Sequence, residues 1–225
     1  MKVSVIIPAY NEANFIGGTI QAVKSFTWVE QIILVDDGST DETGELAKAA
    51  GAQVIKHSHN NGKGAAINSA APFVTGDIII ILDGDLGESA KEFYRLLPPI
   101  LEGRADVTIA TFPPAPVPGG FGLVKGLAAQ GVYRLTGERV LSPLSGQRAM
   151  RSQVFKSLLP FAYGFGVEVG ATVDMLRQGW RVQEVEINMV HNFSRRDLAG
   201  FLHRGRQFYD ICRVLATKRL RMIVK

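Results

Sequence analysis

Gly76-Asp-Ile-Ile-Ile-Ile-Leu-Asp-Gly-Asp85 is the stretch from which the fold can be read. Ile78 to Leu82 are consecutive large apolar residues bounded by glycine and acid. A short, β-branched run with no polar interruption predicts a strand buried on both faces of a parallel sheet. Such a strand delivers its succeeding residues to the carboxyl edge of the sheet, where α/β proteins bind ligands. Here those residues are Asp83-Gly84-Asp85, two hard oxygen donors with a glycine that lets the backbone turn between them. Acids closing a strand also form plain solvated turns, so the rest of the chain has to decide.

Upstream and downstream the pattern repeats. Val3–Ile7, Ile32–Val35, Gln53–Lys56 and Val107–Ala110 read as further strands. Helical spacing runs over Asn14–Phe26, from a Thr40 or Asp41 cap to Ala50, over Ala65–Ala71 and over Glu88–Leu101. Strands alternating with helices over the first 110 residues specify a parallel sheet covered on both faces. Thr111–Gly122, with four prolines and three glycines, predicts a loop, either a lid or a linker between halves. Beyond it the spacing predicts helices over Leu123–Leu135 and Phe165–Arg177. Ser145–Met150 is expected to join the sheet, and Trp180–Ile187 to form a strand. Last comes a long amphipathic helix with a stripe of Leu198, Phe201, Leu202, Phe208, Tyr209, Cys212 and Leu215. The expected division is one domain over 1–190, with halves 1–110 and 111–190, and a basic helix over 191–225.

A chain of 225 residues, 46% hydrophobic and 20% charged, can bury a full core and is neither disordered nor fibrous. Its single cysteine, Cys212, excludes an internal disulfide framework and fits a reducing cytoplasm. No run approaches the ~20 apolar residues of a spanning helix. The first apolar run stops at Pro8, too early for a signal peptide. The net charge of +4 is uneven: residues from His191 onward carry +7 and residues 1–190 carry −3. That argues against nucleic acid as a partner and for one local basic element.

Three strand ends carry polar cargo: Pro8-Ala9-Tyr10-Asn11-Glu12, Asp36-Asp37-Gly38-Ser39-Thr40-Asp41 and Asp83-Gly84-Asp85. In a parallel sheet they converge on one edge, and convergent acids repel unless a cation joins them. A divalent metal with a diphosphate-bearing ligand resolves that, because Mg²⁺ takes one or two carboxylates and completes its shell with phosphate oxygens and water. Other nucleotide motifs fail on spacing. No Gly-x-Gly-x-x-Gly follows the first strand, Gly62-Lys63 has His57 where a phosphate-binding loop needs glycine, and no zinc spacing exists.

Val-Ile-Ile-Pro-Ala-Tyr-Asn-Glu, Val-Asp-Asp-Gly-Ser-Thr-Asp, Asn-Gly-Lys-Gly and Leu-Asp-Gly-Asp, in this order, resemble the family 2 glycosyltransferases of the GT-A fold. The resemblance implies a nucleotide-sugar pocket lined by Pro8, Ala9, Tyr10, Asn11 and Glu12. Asp37 would accept a uracil or guanine N–H, and Lys63 would approach the base or phosphates. Asp83 would serve ribose and metal, and Asp85 would hold Mg²⁺ or Mn²⁺ on the diphosphate. In the second half, Pro143-Leu-Ser-Gly-Gln-Arg-Ala149, Gly164-Phe-Gly-Val-Glu-Val-Gly170 and His191 look like glucosyl-3-phosphoglycerate synthases. By that likeness Glu168 lies near the sugar and His191 completes the metal shell. Glu168 and Asp85 are the catalytic candidates. Glu168 would be the carboxylate base if the reaction inverts as in ordinary family 2 members, whereas the synthase likeness implies retention. Lys125, Ser145, Gly146 and Arg148 would meet the acceptor. Two departures stand out: Leu123 sits where an acceptor-holding arginine is expected, and Asn-Phe-Ser-Arg-Arg follows His191 in place of His-Arg-Asn-Arg.

The implied activity is metal-dependent hexosyl transfer from a nucleotide sugar, UDP-glucose ahead of a GDP-sugar, to a small, phosphorylated acceptor such as 3-phosphoglycerate. A polyprenyl-phosphate acceptor at the inner membrane face is the alternative, prompted by the basic amphipathic tail. That tail equally suits packing on the domain or on a second subunit of a homodimer. A nucleotidyltransferase would need a glycine-rich basic loop after the first strand, and Pro8–Glu12 is not one.

Overall fold

Strand β1 (Val3–Ala9) is buried along its whole length, and the sheet is built outward from it. The computed structural model describes residues 1–113, 123–162, 164–189 and 198–223. β1 pairs in parallel with β2 (Val29–Asp36) on one side and β4 (Ile78–Ile81) on the other. β3 (Gln53–Lys56) lies parallel outside β2. Beyond β4 come β6 (Arg148–Arg151), β5 (Val107–Thr111) and β7 (Val182–Glu186), in the order β3-β2-β1-β4-β6-β5-β7. β6 alone runs antiparallel, to both β4 and β5. The sheet is therefore mostly parallel, and the reversal has a consequence: Arg148 pairs with Ile81, so the residues leading into β6 enter from the edge where the parallel strands end.

Alternation along the strands divides the core between two faces. Ile78, Ile80 and Leu82 face one layer with Ile16, Ile20 and Val23 of α1 (Ile16–Lys24), and with Phe93 and Ile100. Ile79 and Ile81 face the other, with Ala66 and Ile67 of α3 (Lys63–Ala70), Ala128 and Val132 of α5 (Leu123–Thr136), and residues of α7 (Val167–Arg177). Each buried isoleucine contributes roughly 1.5–3 kcal/mol relative to exposure. This double burial is what the uninterrupted Ile78–Leu82 run reflects.

Local differences from the sequence expectation have local causes. Glu88–Leu101 is not one helix but a 3-10 helix, Gly87–Leu96, followed by a single turn α4 (Pro98–Leu101), because Pro98 and Pro99 have no N–H to continue the first run. α2 (Thr43–Ala50) starts later than a Thr40 or Asp41 cap implies, although the Asp41 carboxylate accepts Thr43 N–H at 3.1 Å. It also accepts Ala13 N–H at 3.2 Å, tying the β1 and β2 end loops together. The expected Phe165–Arg177 helix begins at Val167, after a 3-10 turn over Gly164–Gly166. A short α6 (Ser152–Ser157) follows β6 directly.

The basic helix α8 (Leu198–Ile223) packs on α5, on α7 and on the Gly164–Gly166 turn. Glycines make its seat: a Cβ on Gly166 would lie 3.0 Å from Val214 Cβ, and one on Gly170 would lie 3.1 Å from Val214 Cγ1. Ile211 is fully buried there, and Lys218 pairs with Asp174 of α7. Most of the proline-glycine loop, and His191, lie outside the described residues.

Candidate functional site

At the carboxyl edge the β1 and β2 ends are knitted into one surface. Asn11, with a left-handed φ of 57°, donates its backbone N–H to Ser39 Oγ at 3.0 Å and accepts Thr40 N–H on Oδ1 at 2.9 Å. Glu12 N–H reaches Thr43 Oγ1 at 2.8 Å. Pro8 and Ala9 are buried strand residues, so a ligand could meet them only through backbone; Tyr10 is exposed. Gly84 passes close to this turn, since a Cβ there would stand 3.3 Å from Glu12 Cγ. The acids therefore crowd. Burial first, then the charges of Asp85, Asp83 and Asp41, push the Glu12 carboxyl up to about 7.

Asp37 is turned into the protein. Its Oδ1 accepts Asn61 N–H at 3.0 Å and meets His57 Nδ1 at 2.6 Å, while Oδ2 accepts Gly62 N–H at 2.7 Å. The carboxylate is thus largely occupied by the segment that leads into α3. The next residue, Lys63, projects into the centre of the site, with Nζ at 2.5 Å from Asp83 Oδ1 and 2.9 Å from Glu168 Oε1. Burial opposes the Lys63 charge, but Asp83 and Glu168 outweigh it and hold the amine protonated well above the usual lysine range. Asp83 Oδ2 accepts the Gln147 side-chain amide at 2.6 Å. Glu168, in the first turn of α7, sits where the helix dipole favours an acid.

Lys63, Asp83, Gly146 and Glu168 line one cavity of about 240 Å³, closed by Val124, Leu144 and Ile211. A Cβ at position 146 would press on Lys63 Nζ and the Asp83 carboxylate, so a side chain there would displace the Lys63–Asp83 pair. Arg148 lies beneath: 3% exposed, it donates to the Ser145 carbonyl at 2.9 Å and the Pro143 carbonyl at 3.0 Å. Its buried Nη1 has no hydrogen-bond partner among the described residues. Desolvation lowers the guanidinium to about 10 against the pull of Glu168, Asp83 and Glu184. Arg148 therefore braces the 143–147 turn from below, and Ser145 is buried with it.

The structure thus brings Asp83, Lys63, Gly146 and Glu168 together, with Glu12 and Asp85 beside them. Lys125 is exposed at the start of α5, and His191 is not described. Sequence reasoning missed Gln147, His57, Ser69 and Ile211. Gln147 stood inside the Pro143–Ala149 motif, and that motif was the available signal. A larger crease of about 730 Å³ between α5 and α8, lined by Leu127, Leu135 and Leu215 with Arg134 and Arg219, carries no carboxylate.

An acid-ended, mostly parallel sheet covered by helices on both faces is a GT-A fold. The chain belongs to glycosyl transferase family 2, whose model matches residues 4–157. It is 35% identical over 192 residues to the glucosyl-3-phosphoglycerate synthase of Mycolicibacterium smegmatis, covering 76% of this chain and 63% of that protein. It is similar to the crystal structure of the Mycobacterium tuberculosis glucosyl-3-phosphoglycerate synthase with Mn²⁺, UDP and glucosyl-3-phosphoglycerate, at a TM-score of 0.82 and 29% identity over 96% of this chain and 79% of that one. A second complex of that enzyme, with Mn²⁺, UDP-glucose and phosphoglyceric acid, matches at 0.79 and 28%, with the same coverage. The matched segment spans less than two thirds of the curated synthase's length.

Proposed function

We propose that this chain transfers glucose from UDP-glucose to a small phosphorylated acceptor of the 3-phosphoglycerate type, with Mg²⁺ or Mn²⁺ as cofactor. The observation that carries the proposal is the Asp83–Lys63–Glu168 bridge facing one cavity. It supplies a fixed cation beside the acids, where a leaving diphosphate must be stabilised. The structures of the similar synthase hold the donor and acceptor classes proposed.

The donor set fits a divalent cation. Burial, then the charges of Asp85, Asp83 and Asp41, push Glu12 up to about 7, so acids crowd this edge beyond the single positive charge that Lys63 supplies. Among the described residues no three His, Cys, Asp or Glu side chains form a metal cage. Mg²⁺ on a diphosphate needs only one or two protein carboxylates. Asp85 would hold the ion, with His191 the second ligand. When bound it would neutralise the departing nucleotide diphosphate.

The other steps fall to the chain itself. Asp83, clamped by Lys63 and Gln147, orients the ribose side of the donor. Lys63 steadies phosphate charge as it develops. Glu168, ion-paired to Lys63, positions the sugar. Ser145 and Gly146 shape the acceptor side, and Lys125, exposed at the start of α5, would meet an acceptor phosphate. A base already paired with a lysine is poorly suited to inverting chemistry, so the anomeric configuration is retained and the leaving phosphate takes the acceptor proton. Incubation with UDP-glucose, 3-phosphoglycerate and Mn²⁺, with the product anomer read by NMR, tests this. An inverted product removes the retaining, synthase-like assignment, no transfer to 3-phosphoglycerate removes the acceptor, and no turnover of any UDP- or GDP-sugar removes the donor assignment.

A second reading, a polyprenyl-phosphate acceptor at a membrane surface, draws on the apolar α5/α8 crease with its two arginines. The burial of Ile211 against the domain ranks it lower, and no described helix is long and apolar enough to cross a membrane. Co-sedimentation with anionic vesicles at low salt decides it.

A further inference from the structure

We propose that His57 is a positioning residue for transfer: through Asp37 and Ser69 it fixes the 57–62 connection so that Lys63 reaches Asp83 and Glu168. The inference rests on the functional reading above but on different atoms. His57 follows β3, Asp37 follows β2, and Ser69 lies in the last turn of α3. His57 Nδ1 stands 2.6 Å from Asp37 Oδ1, and Nε2 stands 2.8 Å from Ser69 Oγ. Asp37 is 4% exposed and the His57 side chain 14%. With the proton on Nδ1, the ring donates to Asp37 and accepts the Ser69 hydroxyl, which leaves every partner satisfied.

The same carboxylate collects the far end of the connection, the Asn61 and Gly62 N–H groups. Gly62 precedes Lys63, has a φ of +86°, and has no side chain to cap α3, so Asp37 supplies an acceptor at that helix terminus from another strand. The connection has little slack, because a Cβ on Gly38 would stand 2.7 Å from His59 Cα. Both ends of the 57–62 segment are therefore pinned to one carboxylate, and His57 ties its start to the last turn of the helix whose first residue is Lys63. Without the imidazole the segment loses one anchor, and the Lys63 amine loses its fixed direction.

His57→Phe, His57→Asn and Ser69→Ala test this with UDP-glucose, 3-phosphoglycerate and Mn²⁺. His57→Phe lowers kcat by roughly 10- to 100-fold, with a smaller change in KM for UDP-glucose. His57→Asn, whose amide can donate to Asp37 from the Nδ1 position, recovers most of the loss. Ser69→Ala falls between. A second readout needs no turnover: acetylation by acetic anhydride, followed by mass spectrometry. Lys63 is shielded relative to exposed Lys56 in the wild type and loses that shielding in His57→Phe. Should His57→Phe fail to fold, His57→Gln, which has no donor at the Nδ1 position, reads the same two quantities. A folded variant with wild-type kcat and a shielded Lys63 overturns the proposal. If the wild type turns over no UDP-glucose, the functional reading fails instead, and the acetylation pattern alone decides the role of His57.

Discussion

Glu12 carries the unbalanced charge of this site, and its behaviour can be predicted with a sign. Burial and the charges of Asp85, Asp83 and Asp41 raise it from 4.5 to about 7 in the folded protein. Between those values the native state keeps a proton that the unfolded chain has released. Folding stability is therefore favoured at the acid end and declines as pH rises, with the full penalty above about 7. Glu12→Gln removes that titration. In EDTA its melting temperature matches the wild type near about pH 5 and exceeds it near about pH 8, as thermal melts at both values would show. Parallel pH profiles for the two proteins refute the assignment. A divalent cation narrows the gap at pH 8, because it offsets the neighbouring acids. The crowding itself was legible in the sequence, since three acidic strand ends must meet on one edge. Which acids acquire protein partners was not. Asp37 and Asp83 read alike as strand-end acids, yet Asp37 is folded inward on His57, Asn61 and Gly62, while Asp83 faces the cavity with Lys63 and Gln147.

Among the elements, α8 is the one whose role the amphipathic pattern left open between lipid, a second subunit and the domain. The predicted stripe is covered only in part: Leu215 packs on the domain beside Ile211, which the stripe omitted, while Phe208 and Tyr209 are exposed. The answer lay in the partner surface: Gly164-Phe-Gly-Val-Glu-Val-Gly170 resembled a sugar-site motif, but its glycines also admit α8 to close range. Glu168 sits between two of them, Gly166 and Gly170, which face Val214 of α8. Gly166→Ala should destabilise the fold by about 1–3 kcal/mol, since its Cβ would overlap Val214 and approach the Asp210 carbonyl. Adding Val214→Ala should recover part of that cost, and the double-mutant cycle in urea melts reads the coupling. Additive effects would show that α8 does not depend on this contact. The strands were easier to read: their type survived in the uninterrupted apolar run of Ile78–Leu82, while the reversed direction of β6 leaves no mark in four residues of composition.

For the molecule as a whole, the sheet gathers negative charge at its carboxyl edge while α8 and its surroundings gather positive charge. The candidate cavity opens where the two regions meet, bounded by Asp83 and Glu168 on one side and Ile211 on the other. Placing acids together without counter-charge costs stability, and a ligand that brings a cation to that edge returns it. UDP with Mn²⁺ should therefore raise the melting temperature far more than UDP in EDTA or Mn²⁺ alone. At a hundred times Kd the linkage amounts to about 2.7 kcal/mol, which for a chain of this size is roughly 5–10 °C. Asp85→Ala should abolish the Mn²⁺-dependent part of the shift. Lys63→Met should lower the ligand-free melting temperature, since it leaves Asp83 and Glu168 facing each other without their cation. Differential scanning fluorimetry on the wild type and the two variants separates the effects. An equal UDP shift with and without metal would mean that the diphosphate is held by Lys63 and backbone alone, and that Asp83-Gly84-Asp85 serves the ribose rather than a metal.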